Sequence, residues 1–240
     1  MRRLLLLLLC WPLLLGAASR LFDDANDNVD MGNVLNVTTG DWSLAAWVKL
    51  TEDASTDFVI GKANDLNANT AGYVMGSFSG DSQFVRCGDG TAQCGGASAQ
   101  IGDFDGVWVY HIGTWDATGE VLENYANCDT LGASNSGTAV GSLSNAVDFQ
   151  IGEAAGGGTD TNGLIAYGSM RATIPTAMER CEQMWHPESI IIFRPQGSFW
   201  PLWGASPESD LSGNGLTGTV NGASTSSDGP PVMIGGYLPL

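Results

Sequence analysis

The stretch 105–126, DGVWVYHIGTWDATGEVLENYA, alternates its side-chain character at period two on both sides of a short turn. A helix repeats its faces every 3.6 residues, so sustained alternation of this kind calls for sheet strands with two distinct faces. Asp105-Gly106 supplies a turn into the first strand. The Asp116-Ala117-Thr118-Gly119-Glu120 turn joins it to the second, and together they predict an antiparallel hairpin.

The segment 41–50, DWSLAAWVKL, carries the same period. Trp42, Leu44, Ala46, Val48 and Leu50 fall on one face, while Ser43, Ala45, Trp47 and Lys49 fall on the other. The first set reads as core. Trp47 then lies among small and polar neighbours, either as a sugar-stacking platform on an open sheet or as a residue covered by a loop. Further strands are expected at 58–61, 72–78, 83–87 and 147–152, with turn residues between them. A content of 33 Gly with only two Lys, Lys49 and Lys62, fits short strands and many turns. Gly156, Gly157 and Gly158 mark a loop. One short helix is expected over 175–185, with Pro175 in its first turn and its end before His186-Pro187. At 240 residues, one sandwich domain is sufficient.

Several of these segments carry a resemblance. The pattern DGxWxxxxGTWD…LxxYxN resembles the central hairpin of laminin-G-like, concanavalin A-like lectin/glucanase domains. Residues 41–50 are similar to the F-T-I-S-A-W-V-K strand of that family, 147–152 (VDFQIG) to its L-R-I-G strand, and 21–32 (LFDDANDNVDMG) to its first hairpin. The segment 193–223 resembles a tail found beside such domains in environmental and phage-like sequences. Phe199, Trp200, Leu202 and Trp203 would form a late strand, with residues 210–218 as a polar turn. The resemblance implies an all-β, two-sheet antiparallel jelly-roll over residues 19–240, with 193–240 as the closing segment, and binding rather than chemistry. It departs from the family at Ala166 and Tyr167, where Asp-Glu carboxylates often support a calcium site or a structural hydrogen bond.

The first residues, MRRLLLLLLCWPLLLGAA, have the basic start, apolar stretch and small residues of a secretory signal peptide over 1–18. The apolar run is short for a bilayer span. A secreted or surface-displayed protein is therefore expected, or alternatively a virion component, with no membrane span in the mature chain. Cys87 and Cys94 flank a Gly-rich loop and are expected to pair in an oxidising compartment. Cys128 and Cys181 are expected as small buried hydrophobes.

A formal charge of −17, from 26 acidic and nine basic residues, repels phosphate backbones, so nucleic acid is excluded as a partner. The paired-carboxylate spacing of the family's glucanases, E-x-D-x-x-E or E-x-D-x-E, is absent. Glu120 and Glu123 have odd spacing and fall on opposite strand faces. No nucleophile elbow or phosphate-binding loop occurs. The leading reading is a non-catalytic module for glycans or another extracellular ligand; its rival is a structural, self-associating decoration protein, and a glycan-degrading enzyme is the minority alternative. Ligand contact is expected at Trp47, His111 and Trp115 on one sheet face. Asp27 and Asp160, in Asx-rich loops, are expected at the rim as ligands for calcium, if any cofactor is bound. The alternating Asp24, Asn26, Asn28 and Asp30 do not make an EF-hand, because Val29 and Leu35 stand where Gly and Glu are required.

Overall fold

A computed structural model describes residues 18–23, 26–51, 56–65, 70–78, 82–100, 105–135, 140–190, 197–204 and 206–233. Residues 1–17 of the expected leader lie outside the described residues.

Two antiparallel sheets face each other. The first runs β10(Asp129–Asn135), β9(Val121–Ala126), β8(Val109–Asp116), β3(Trp42–Leu50), β12(Gly163–Arg171), β1(Ser19–Phe22), β15(Ser224–Ser226), with β13(Gly197–Trp200) also pairing to β12. The second runs β14(Thr219–Asn221), β2(Asn28–Asp30), β11(Gln150–Ile151), β4(Thr56–Lys62), β5(Gly72–Phe78), β6(Ser82–Gly88), β7(Gln93–Gln100). The all-β concanavalin A-like sandwich is the observed fold, and the helix α1(Ala177–Trp185) packs on it.

The period of β3 decides how the layers pack. Trp42, Leu44, Ala46, Val48 and Leu50 all enter the core between the sheets, where they meet Tyr73, Met75, Val85 and Trp200. Gly113 of β8 faces the same core. A Cβ there would fall 2.5 Å from Val85 Cγ2, so glycine lets the second sheet approach.

The other face of β3 builds a second core. Ala45 and Trp47 join Tyr110, Ile112, Tyr125, Tyr167 and Phe199, and α1 covers them with Met184. The helix starts at a capping box in which Thr176 and Glu179 exchange side-chain and backbone hydrogen bonds. Pro175 precedes that cap rather than occupying the first turn; the Thr176 side chain, not the proline ring, sets the start. Arg180 lies 3.9 Å from the centre of the Tyr125 ring.

Two disulfides are present among the described residues. Cys87–Cys94 closes the β6–β7 hairpin with its Cα atoms 5.2 Å apart, as the spacing predicts. Cys128 and Cys181 also pair, with Cα atoms 5.1 Å apart, which corrects the expectation of two unpaired buried thiols. Their separation of 53 residues hides the pairing from sequence; α1 crosses the β9–β10 turn and brings them together. The closing segment contributes to both sheets through β13, β14 and β15. It is fixed by the buried pair Arg20–Glu208, 2.7 Å apart.

Candidate functional site

At one end of the first sheet, a groove of about 300 Å³ opens across four neighbouring strands. Register builds its floor: Leu164 of β12 stands between Lys49 of β3 and Leu21 of β1, so the three side chains form one row across the sheet's outer face. Ser226 of β15 and Asp228, just beyond that strand, form the far wall.

Asp228 organises this wall. Its Oδ2 accepts a hydrogen bond from Lys49 Nζ at 2.7 Å, and its Oδ1 accepts one from Trp108 Nε1 at 3.0 Å. Its backbone is held as well: the Asp228 N–H donates to Ser226 Oγ at 3.1 Å, and its carbonyl accepts from Ser19 Oγ at 2.6 Å. The Lys49 and Trp108 hydrogen bonds push the Asp228 carboxyl below the usual carboxylate range. The carboxylate is nonetheless 45 % exposed, so its oxygens meet solvent. An apolar floor beside fixed hydrogen-bonding groups is the composition of a small-molecule site.

The three residues expected to touch a ligand lie elsewhere, and their placement corrects that expectation. Trp47 is 2 % exposed beneath α1, and its Nε1–H donates to the Met184 carbonyl at 3.1 Å. His111 and Trp115 are buried between the two sheets. The ladder also separates them, because Trp47 stands opposite Tyr110 while His111 stands opposite Ala46, so Trp47 and His111 use opposite faces. No open platform contains these three residues. Instead, His111 Nε2 lies 2.6 Å from Asn124 Oδ1, and Asn124 Nδ2 donates to the Gln83 carbonyl of the second sheet at 2.8 Å. Burial pushes the His111 pKa down to about 3, against the smaller upward pull of Asn124. His111 is thus a neutral polar link between the sheets.

Asp27 and Asp160 both approach Glu153, and not the rim of an aromatic platform. Both lie close enough to Glu153 to act on its charge. Burial first, then these neighbouring carboxylates, raises its pKa, opposed by a hydrogen bond from Asn28 Nδ2 at 2.7 Å. Asp27 is itself engaged by the Asp23 N–H at 3.1 Å. Among the described residues, no three His, Cys, Asp or Glu side chains converge as a metal-ligand set.

Sequence reasoning placed Lys49 on the correct face but missed its partners. Trp108 was visible as the Trp of the DGxW motif. Asp228 sits in a Ser-rich tail whose return to β3 no local pattern encodes.

A laminin-G-type model of the concanavalin A-like lectin/glucanases superfamily matches residues 23–167. The chain belongs to this superfamily. Among solved structures, it is similar to a candidate carbohydrate binding protein from Bacteroides ovatus, with TM-score 0.69 and 14% identity over 90% of this chain. The chain spans 61% of that protein's length. A native heptameric SAP-like pentraxin from Limulus polyphemus matches at TM-score 0.51 and 14% identity, over 70% of this chain and 82% of that one. The CBM40 of a Ruminococcus gnavus IT-sialidase, bound to alpha2,3 sialyllactose, matches at TM-score 0.50 and 8% identity, over 66% and 96%. At these identities the likeness concerns the superfamily sandwich itself. No curated protein matches the chain.

Proposed function

We propose that this superfamily member is a secreted, non-catalytic glycan-binding module whose ligand sits in the Asp228 groove. The observation that carries the reading is the pinned Asp228 carboxylate beside the Leu21–Leu164 floor. A sugar ring has one apolar C–H face and a rim of hydroxyls, and the groove offers a surface for each. The solved structures of similar fold include a candidate carbohydrate binding protein and a sialyllactose-bound module, which supports the same class of ligand. The two disulfides support an oxidising destination.

Chemistry at this groove is not part of the proposal. Hydrolysis of a glycosidic bond needs an acid and a second carboxylate flanking it. Among the described residues, the groove wall offers one carboxylate, and it is already engaged by Lys49. A glycan array on the purified protein tests the proposal. Retention of oligosaccharides without their turnover supports it, and either no retention or release of shortened sugars counts against it.

A further inference from the structure

We propose that the Asp228 groove takes a neutral pyranose, recognised through two adjacent ring hydroxyls held by the Asp228 carboxylate. This rests on the glycan-binding reading and names its substrate class. A carboxylate offers about four acceptor positions, two on each oxygen. Trp108 fills one on Oδ1 and Lys49 fills one on Oδ2. Each oxygen keeps a second position, and the two oxygens belong to one rigid group, so a pair of adjacent hydroxyls can donate to both. A vicinal diol therefore satisfies both at once through charge-assisted hydrogen bonds.

Preorganisation strengthens the argument. Four hydrogen bonds, from Lys49, Trp108 and Ser19 and to Ser226, fix both the backbone and the side chain of Asp228. Little ordering is left to be done on binding. Leu21 and Leu164 lie in the same row as Lys49, so a ring whose diol edge meets Asp228 can lay its C–H face on them.

Charge selects neutral sugars. Lys49 already balances Asp228, so a sugar carboxylate has to compete with Asp228 for the ammonium group while approaching a like charge at near contact. The chain's formal −17 adds repulsion in the same direction.

The test uses nitrogen-15-labelled protein, with the Trp108 indole N–H resonance as reporter, identified by its loss in Trp108→Phe. The probes are neutral tetraoses of glucose, mannose and galactose, with 3′-sialyllactose and trigalacturonate as charged counterparts. A neutral tetraose is expected to shift the Trp108 signal. Its O-methylated form should leave the signal in place, and Asp228→Asn should weaken binding about tenfold or more, the scale of a lost charge-assisted pair of hydrogen bonds. The charged probes should bind at least about tenfold more weakly than the neutral one. Because Lys49 and Asp228 are partly exposed, a retained spectrum in the variant separates lost binding from lost folding. Equal or tighter binding of a charged probe, or unchanged affinity in Asp228→Asn, overturns the inference. Neutral binding whose shifts avoid Trp108 also overturns it while leaving the glycan-binding reading in place. If no probe moves any resonance, both fail together.

Discussion

The indole N–H of Trp47 donates to the backbone carbonyl of Met184, tying the outer face of β3 to the end of α1. The largest aromatic on that face is thus an anchor for a helix rather than a surface for a ligand. Replacing Trp47 by Ala should cost about 3–5 kcal/mol of stability, the usual range for a buried Trp. Chemical denaturation reads this directly; a loss within error of zero would mean that α1 does not depend on Trp47.

The same helix is held covalently by Cys128–Cys181. That bridge closes a loop with a separation of 53 residues, against seven for Cys87–Cys94. The chain-entropy model then gives about 4 kcal/mol for the first and about 2 kcal/mol for the second. Removing each pair as a double Ala variant should lower Tm more for Cys128/Cys181, with faster amide exchange in α1. The reverse order would show that the long bridge adds little constraint.

His111 makes stability pH-dependent, and the sign follows from its burial. Its pKa falls from 6.5 to about 3 in the folded protein. Between these values the unfolded chain binds a proton that the native state refuses, so stability falls as pH drops below about 6.5, by up to about 1.4 kcal/mol per pH unit. Replacing His111 by Gln should remove this component, seen as a shallower loss of Tm between pH 6 and 4. An identical pH profile in the variant would place the acid sensitivity elsewhere.

How much of this was legible in the chain depends on where the information resides. Period two along 41–50 and 109–116 carries strand identity and core face without tertiary knowledge, and it placed Trp42, Leu44, Ala46, Val48 and Leu50 correctly. β7 and β10 escaped because Gly-Gly-Ala-Ser and Leu-Gly-Ala-Ser offer no alternation to read. The site was less legible. Period two distinguishes the two faces of a strand but not which face a helix will cover, so Trp47 could be read as an open platform or as a covered residue. His111 and Trp115 share a face, but the pairing of β8 with β3 turns that face inward. Asp228 meets Lys49 across a separation of 179 residues, through a tail that returns to the first sheet.

Glu153, near Asp27 and Asp160, gives a metal test. Because the described donors do not form a ligand set, Tm should be the same in EDTA and in millimolar calcium. Glu153→Gln should retain or raise Tm at neutral pH, since it removes a charge that burial and neighbouring carboxylates disfavour. A calcium-dependent rise in Tm abolished by Glu153→Gln would establish a cation site there.

On the proposed reading, ligand binding belongs to the Asp228 groove and not to the aromatic face beneath α1. Isothermal titration calorimetry with the best-retained glycan tests it most directly, comparing the wild type with Asp228→Ala and Trp47→Phe. The account predicts that Asp228→Ala loses about tenfold or more in affinity while Trp47→Phe, though less stable, binds as the wild type does. Loss of affinity in Trp47→Phe with Asp228→Ala unaffected would contradict it.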